Sequence, residues 1–404
     1  MFSSRAHRCC SGVLLLLLPA AAVFAQEART VPPEVLAAIA DDGSEPLPRS
    51  LAPGETVPRL PDLRLPLAPP TGLVHTPAEY DRNLGLLVRW GDFNSVLTAI
   101  TVAITTGDPD GRVWVIVSGA AQQASATTAL TNAGADMSQV SFLTAATNSV
   151  WIRDYGPRFI TEDGDSAIVD HTYNRPRPQD DAIPDVVAGA WGQPQYDIPL
   201  VHGGGNFHLF SSGEAFMTEL ILNENPGLSA QDVEDDFAAY EGLDLTIWPP
   251  FPSSYDSTQH IDMWMLPARN RRAIVGAYPP GDGGGVPFTV TEDAVAELVA
   301  RGYTVFRTPG WRAGGTHYTY TNAVIFNKLV LVPSYNSYPS QNAAAVATFQ
   351  AAFPGYQVIP IDSTQLVTFA GVIHCIIMHV PAPAWVFGDD FETGDFTSWS
   401  AVVN

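Results

Sequence analysis

Cysteine is scarce in this chain of 404 residues, which has three, and two of these, Cys9 and Cys10, lie in an N-terminal stretch that reads as a leader. Cys375 is then the only cysteine of the mature protein, so an intramolecular disulfide is excluded. A lone thiol is a buried small hydrophobe, a dimer crosslink or a nucleophile. The flanking Ile376 favours burial, whereas the neighbouring His374 favours an activated thiol.

Several common functional motifs are also missing. The sequence contains no Gly-x-Ser-x-Gly, so the glycine run Gly203–Gly205 is not the oxyanion loop of an esterase. It has no Walker motif, His-Glu-x-x-His or Cys-x-x-Cys either. The glycine run instead indicates a turn where the backbone must approach another group closely.

Basic residues are few, with 20 Lys and Arg against 42 Asp and Glu and a formal net charge of −22. Nucleic acid and anionic membranes repel such a protein, so neither is an expected partner. A cationic substrate would be attracted, although acidity alone also serves solubility.

No apolar run is long enough to span a membrane. Residues 1–25 have the features of a secretory signal: Arg5 and Arg8 precede the short apolar run Gly12–Leu18, and cleavage is predicted after Ala25. We therefore expect a secreted or periplasmic protein.

The remaining chain divides by composition. Residues 26–73 are rich in proline and predict an extended, loosely packed arm. Residues 74–386 alternate strand and helix patterns, which predicts an α/β domain. Examples are the buried strand Val113–Val117, the helix Ala120–Ala133 and a hairpin that turns at Asn327-Lys328. Residues 387–404 form a short acidic and aromatic tail.

Two segments besides Cys375 carry candidate chemistry. In His260-Ile261-Asp262 the His and Asp share one side of an extended chain, which suits acid–base catalysis. A structural pair is the commoner use of such a motif, and a metal half-site is a third possibility. The metal ligands would then be completed from a set of histidines: His202, His208, His317 and His374.

Asp154 lies between Arg153 and Tyr155, directly before the turn signal Gly156-Pro157. It is either a salt-bridged turn residue or a buried carboxylate that awaits a cation.

The order of the motifs resembles the Porphyromonas-type peptidylarginine deiminase family, which includes the agmatine deiminases. The matching segments are Trp151–Pro157, Gly204–Asn206, Leu222–Asn225, His260–Asp262, Tyr320–Asn322 and Gly371–Cys375. The resemblance implies a pentein α/β-propeller, in which five ββαβ units surround a central active site.

The resemblance also implies roles. Asp154 and Asp262 would hold a guanidinium, Cys375 would attack its carbon, and His260 would transfer protons. The product would be citrulline plus ammonia, with no metal and no cofactor. Substrate-binding residues would be Trp151, Arg175, Arg177, Asn206 and Asn322.

Arg175 and Arg177 match positions that bind the C-terminal carboxylate of a peptide in relatives that act on peptidylarginine, so a preference for C-terminal arginine is expected. Agmatine deiminases carry Glu-Gly-Gly-Ser where this chain has Gly203–Asn206, which argues against agmatine. The alternatives are deimination of agmatine, free arginine or another small guanidine, and a secreted metal-dependent hydrolase that uses His260 and Asp262.

Overall fold

The computed structural model of the chain describes residues 27–43, 45–60 and 68–383. The predicted signal peptide, the tail 387–404 and residues 61–67 of the arm lie outside these ranges. Within them, no helix has both the length and the apolar character needed to cross a membrane.

Strands and helices alternate along the described chain. The strands are β1 (Val74–His75), β2 (Asn83–Arg89), β3 (Arg112–Val117), β4 (Val140–Thr144), β5 (Arg158–Glu162), β6 (Asp165–Tyr173), β7 (Gln195–His202), β8 (His208–Leu209), β9 (Glu214–Thr218), β10 (Asp244–Trp248), β11 (Met265–Arg269), β12 (Arg272–Ala277), β13 (Thr304–Ala313), β14 (Thr316–Thr319), β15 (Val324–Phe326), β16 (Leu329–Ser334), β17 (Gln357–Asp362) and β18 (Ile377–Pro381). The α-helices are α1 (Pro33–Leu36), α2 (Asn94–Gly107), α3 (Ala120–Ala133), α4 (Ile152–Tyr155), α5 (Pro178–Asp181), α6 (Ile183–Trp191), α7 (Leu220–Glu224), α8 (Ala230–Glu241), α9 (Val286–Ala300) and α10 (Pro339–Ala352).

The strands form five sheets, in the orders β18-β2-β3-β4, β1-β5-β6-β7, β10-β9-β8, β11-β12-β13-β14 and β15-β16-β17. Each sheet repeats one pattern. An antiparallel pair comes first, and the strand after the next helix returns parallel to the second member of the pair, as in β5-β6-α6-β7. A parallel return needs a crossover, which the helix provides. These are the five ββαβ units expected of a pentein fold.

The two ends of the domain meet in one sheet. β18 pairs antiparallel with β2, with Ile377 opposite Val88. This closure places Cys375, two residues before β18, beside the first unit of the chain.

Local predictions from the sequence are confirmed where the hydrophobic pattern was clear. Helix α3 spans Ala120–Ala133, and the hairpin β15–β16 turns at Asn327, which has a φ of 51°. Val115 and Ile116 of β3 point to opposite faces of the sheet and are both completely buried, as expected of a strand covered on both faces.

The N-terminal arm is packed more firmly than its proline content predicted. Helix α1 contacts α2 and α3, and the Gln357 side chain bonds both the backbone nitrogen and the carbonyl of Ala28. Farther along, the backbone nitrogen of Arg49 donates to the carbonyl of Phe369 at 3.0 Å. These polar partners lie in the distant folded domain, which is why local composition did not reveal them.

Candidate active site

The predicted catalytic residues lie in the connections between successive sheets. Asp154 is in α4, between β4 and β5. His260 directly precedes a 3₁₀ turn, Ile261–Met263, which contains Asp262 and lies between β10 and β11. Cys375 lies in a 3₁₀ turn, Ile373–Ile376, before β18. All four side chains are fully buried. The five-unit fold therefore brings together residues that are more than a hundred positions apart.

A guanidinium already occupies the space between the two aspartates, and it belongs to Arg49 of the arm. Asp154 accepts from Arg49 Nε and Nη2, both at 2.9 Å. Asp262 accepts from Nη1 at 3.1 Å and from Nη2 at 2.8 Å. Two carboxylates thus grip one guanidinium in the bidentate manner that its planar fork allows.

The charges in this cluster stabilise one another. Burial by itself raises the pKa of Asp262, but the Arg49 guanidinium and His374 outweigh it and hold the pKa of Asp262 far below its ordinary value. Burial likewise opposes ionisation of Asp154, whose pKa is lowered nonetheless because Arg49 and His260 lie beside it. Both carboxylates are therefore ionised and able to bind a cation.

His260 lies against one terminal nitrogen of the guanidinium. Its Nδ1 is 2.8 Å from Arg49 Nη2 and 3.5 Å from Asp154 Oδ1, while its Nε2 is buried without a hydrogen-bond partner. Burial, followed by the positive charge of Arg49, lowers the pKa of His260 to about 4. The imidazole is thus neutral at pH 7 with a guanidinium bound, and it is positioned to exchange a proton with Nη2.

Cys375 is surrounded by polar groups of the same cluster. Its Sγ lies 3.2 Å from Asn322 Oδ1 and 3.8 Å from Asp262 Oδ2, and it accepts from the backbone nitrogen of Val372 at 3.3 Å. Burial raises the pKa of the Cys375 thiol, and the charge of Arg49 acts against that rise. The pKa nevertheless stays well above its ordinary value, so the thiol is protonated in this arrangement, and a bound guanidinium lowers the cost of forming the thiolate, which is the nucleophilic form.

Gly205 is a site residue that the sequence indicated only as a point of close approach. A Cβ built on Gly205 would lie 1.6 Å from Arg49 Nη2, 2.7 Å from Asp154 Oδ1 and 2.8 Å from Asp262 Oδ2. The backbone nitrogen of Gly205 also donates to Asp154 at 3.0 Å. Only glycine leaves room for the guanidinium here.

Three of the predicted substrate-binding residues contact the backbone around Arg49. Trp151 Nε1 donates to the carbonyl of Leu47 at 2.8 Å, and Arg175 Nε donates to the carbonyl of Arg49 at 3.0 Å. Arg177 Nη2 donates to the carbonyls of Pro48 at 2.9 Å and Ser50 at 3.2 Å, and it pairs with Glu55 at 3.0 Å. All of these carbonyls belong to internal peptide bonds.

Asn206 and Asn322 act on neighbouring residues. Asn206 Oδ1 accepts from the backbone nitrogens of Thr218 and Ile261, so Asn206 fixes the segment that carries His260 and Asp262. Asn322 Oδ1 accepts from the backbone nitrogen of His374 at 3.1 Å as well as facing the Cys375 thiol.

Sequence reasoning missed Glu79. Its carboxylate accepts from His374 Nε2 at 2.9 Å and pairs with Arg153 at 3.0 Å, while His374 Nδ1 lies 3.0 Å from Asp262. His374 therefore faces the site by orienting Asp262. Nothing in the local sequence around Glu79 distinguishes it from an ordinary surface glutamate, so only the fold reveals this role.

The metal hypothesis drew on a set of histidines of which the fold keeps only His208 and His374 near each other. His317 pairs with Asp256 and Tyr278, and His202 packs against Phe207. Within the described residues, the group with ligand atoms close enough for a metal comprises Glu79, His208 and His374. It includes neither His260 nor Asp262, whose side chains bind the guanidinium instead.

Glu224 is a buried carboxylate next to Arg175, and its raised pKa can be tested by experiment. Its carboxylate accepts from Asn174 Nδ2 at 2.8 Å and lies 3.9 Å from Arg175, and burial raises its pKa to about 8 from an ordinary value of 4.5. The folded state therefore holds this proton more tightly than the unfolded chain does. The contribution of Glu224 to the free energy of unfolding must therefore fall as pH rises from about 4.5 to about 8.

Replacing Glu224 by Gln removes this titration while keeping an oxygen that can accept from Asn174. We expect the free energy of unfolding of the variant to rise relative to that of the wild type by on the order of a few kcal/mol across that interval. Above the interval, the difference between the two proteins should no longer change with pH. Urea unfolding at a series of pH values measures the gain. A difference that is independent of pH would contradict the raised pKa, and Glu34→Gln, at an exposed position, is the control.

Known proteins share both the sequence pattern and the fold. Residues 88–381 match the family described as Porphyromonas-type peptidyl-arginine deiminase. The agmatine deiminase of Ectopseudomonas mendocina (strain ymp) is 27% identical over 340 residues, which cover 72% of this chain and 87% of that protein.

Solved structures of similar fold include the agmatine deiminases of C. jejuni with substrate bound (TM-score 0.67, 16% identity) and of Enterococcus faecalis (TM-score 0.66, 20% identity). Each alignment covers 77% of this chain. It covers 97% of the solved chain from C. jejuni and 96% of the one from Enterococcus faecalis. The matched family spans well over half of the 404 residues and includes every predicted catalytic position. The chain therefore belongs to the Porphyromonas-type peptidyl-arginine deiminase family, and its fold is the pentein fold.

Proposed function

We propose that the protein hydrolyses guanidinium groups to ureas through a covalent adduct on Cys375. The observation that carries this proposal is the Arg49 guanidinium held by Asp154 and Asp262, next to His260 and Cys375. Membership of a family of guanidino-modifying enzymes supports it.

The first step is attack of the Cys375 thiolate on the guanidinium carbon. A new S–C bond forms and one C–N bond breaks. The nitrogen that leaves is the one in the position of Arg49 Nη2, because this nitrogen contacts His260. It departs as ammonia with a proton delivered by His260. That proton comes from the Cys375 thiol. His260 is neutral at the start, accepts the proton as the thiolate forms, and passes it to the leaving nitrogen.

The second step consumes one water. His260, neutral again after it has protonated the ammonia, takes a proton from water, and the hydroxide attacks the carbon of the thiouronium adduct. The C–S bond breaks while the new hydroxyl group loses its proton, so the carbon keeps the oxygen as a urea carbonyl. His260 returns its proton to the departing thiolate, and the hydroxyl proton passes to the released ammonia, which leaves as ammonium. The fixed grip of both carboxylates holds the reacting carbon in place throughout.

The relatives favour agmatine as the substrate more than a peptide with C-terminal arginine. Two curated relatives carry the names agmatine deiminase and putative agmatine deiminase, even though this chain lacks the Glu of Glu-Gly-Gly-Ser. The sequence argument from that glutamate therefore lacks support, and a small guanidine is the first substrate to test.

A second candidate, arginine within a peptide, is favoured by one observation of this structure. Arg175 and Arg177 bind the carbonyls of Arg49, Pro48 and Ser50, which are internal to a chain. This geometry supports recognition of peptide bonds on both sides of an arginine and gives no special support to a free C-terminal carboxylate.

The test is product formation from agmatine, free arginine, and peptides with internal or C-terminal arginine, each assayed with and without a chelator. The wild type and Arg49→Ala, which empties the pocket, are compared. Ureido product that resists the chelator supports the proposal. No product from any substrate with either protein would overturn it, and loss of activity on chelation would favour the metal-dependent alternative.

Arg175→Ala separates the two substrate classes when it is made in the Arg49→Ala protein, where loss of its bond to the arm does not itself change access to the pocket. We expect kcat/KM for a peptide with internal arginine to fall about tenfold or more, because a charge-assisted hydrogen bond to a carbonyl is lost. Agmatine has no carbonyl at that position, so its rate should stay within about twofold. Parallel assays of both substrates measure this split, and Arg112→Ala, at an exposed position, is the control. An equal loss on both substrates would show that Arg175 does not read the peptide backbone.

A further inference from the structure

We propose that the segment Leu47–Glu55, hereafter the arm segment, is an intramolecular substrate, and that Arg49 is a site of self-deimination that opens the active site. This inference rests on the proposed function and adds a modification site within the chain itself.

The backbone of the arm segment is bound on both sides of Arg49. Four groups of the domain bind its backbone: Phe369 accepts from the nitrogen of Arg49, and Trp151, Arg175 and Arg177 donate to successive carbonyls. Arg177 also pairs with Glu55, at the far end of the segment. The backbone is therefore in a defined register that presents the side chain of Arg49 to the pocket.

Within the pocket every polar group of the guanidinium is engaged. Nε bonds Asp154, Nη1 bonds Asp262, and Nη2 bonds both carboxylates and lies against His260. The side chain is completely buried, although arginine almost never is unless it is paired. Two glycines make room for it, since a Cβ on Gly205 would clash with Nη2 and one on Gly371 would lie 3.1 Å from Cδ.

A purely structural ion pair does not account for this arrangement. Arg49 contacts the residues to which we assign the reaction, and it presents Nη2 to His260, which is the position of the leaving nitrogen. Arg59 offers an internal comparison. It also follows a proline in the arm, yet its side chain is exposed and unbound by the site. The pocket therefore selects Arg49 by placement rather than by local sequence.

The reaction would reverse the interactions that hold the arm segment. Cys375 displaces Nη2 as ammonia, water then replaces sulfur on the carbon, and citrulline carries a neutral C=O in place of the charged C–NH₂. That oxygen would face two ionised carboxylates where a donor had been. The buried ion pair is lost, and the citrulline oxygen and the carboxylate oxygens, which are all hydrogen-bond acceptors, face one another. Both changes favour release of the segment. Before the reaction, the tethered segment competes with dissolved substrates at an effective concentration that reaches the millimolar range, about 1 mM for a short tether.

The experiment is mass spectrometry of the wild type and Cys375→Ala after digestion on the C-terminal side of glutamate. Cleavage after Glu34 and Glu55 yields a peptide whose only arginine is Arg49, since the bond between Glu45 and Pro46 resists cleavage. We expect citrulline at position 49 in the wild type, arginine in Cys375→Ala, and arginine at position 59 in both. Isotope-labelled Cys375→Ala mixed with the wild type should keep Arg49 unchanged, because the reaction occurs within one chain.

The variant Arg49→Lys gives a second readout that does not depend on folding of an emptied pocket. Lysine keeps a cation near the carboxylates but cannot be deiminated, so turnover of agmatine should stay about tenfold or more below that of the self-modified wild type. Equal rates would overturn release by modification.

The failures of the two proposals are distinguishable. Wild type that retains Arg49 as arginine while converting dissolved agmatine or peptide would overturn self-deimination and leave the proposed function intact. Conversion of Arg49 in the labelled Cys375→Ala chain would overturn the intramolecular step. Unmodified Arg49 together with no turnover by the wild type, Arg49→Ala or Arg49→Lys would overturn both proposals.

Discussion

Replacing Cys375 by alanine is expected to lower turnover of every guanidino substrate by about 10⁴-fold or more, because no other group can form the covalent adduct. Cys375 is the only cysteine outside the predicted leader, so no second thiol can substitute. Neither Asp154 nor Asp262 replaces it as a nucleophile, since both carboxylates are occupied in binding the guanidinium.

The measurement is ureido product formed per enzyme in a long incubation, with the thermal unfolding midpoint recorded alongside. Cys375→Ser is the matched comparison, since a hydroxyl can still face Asn322 Oδ1 but is far less nucleophilic than a thiolate at neutral pH. Both variants should fold. Turnover within tenfold of wild type in a folded Cys375→Ala protein would rule out covalent catalysis by this thiol.

Replacing Gly205 by alanine is expected to lower kcat/KM by about 10²-fold or more, although the change adds one methyl group. That methyl would lie where Arg49 Nη2 now lies, within 1.6 Å, and it would also press on the oxygens of Asp154 and Asp262. A guanidinium would be excluded or displaced from both carboxylates. Misplacing a reacting group by about 1 Å is enough for a loss of this size.

Binding and turnover should fall together in this variant, because the methyl blocks the ground-state complex as well as the reaction. Calorimetric titration with agmatine of the Arg49→Ala/Cys375→Ala protein, with and without Gly205→Ala, would show the binding loss separately, because Arg49 no longer occupies the pocket. Gly189→Ala is the control, since a Cβ there, in α6, meets no atom within 4 Å. Wild-type activity in Gly205→Ala would place the substrate guanidinium elsewhere than the Arg49 guanidinium.

Periodicity and motif order predicted much of the local structure and the family. Helix α3 and the β15–β16 hairpin follow from alternating and helical hydrophobic patterns, which depend on neighbours in the sequence. The chemistry of Cys375, His260, Asp154 and Asp262 followed from residue type and from their order along the chain. The structure brings their side chains together in one buried cluster, with each residue in a connection between two different units.

What the sequence determined by itself was the proposed reacting groups, since a thiol, an imidazole and two carboxylates carry their chemistry in the side chain. What the tertiary structure decided was how those groups are occupied and supported. Glu79 joins the site through His374, Gly205 leaves the space for a guanidinium, and Arg49 fills that space. These depend on contacts across as many as 295 positions in the chain, where local patterns carry no information about distance. A proline-rich arm reads as unstructured on its own, and only its contacts with the folded domain give Arg49 a place in the active site.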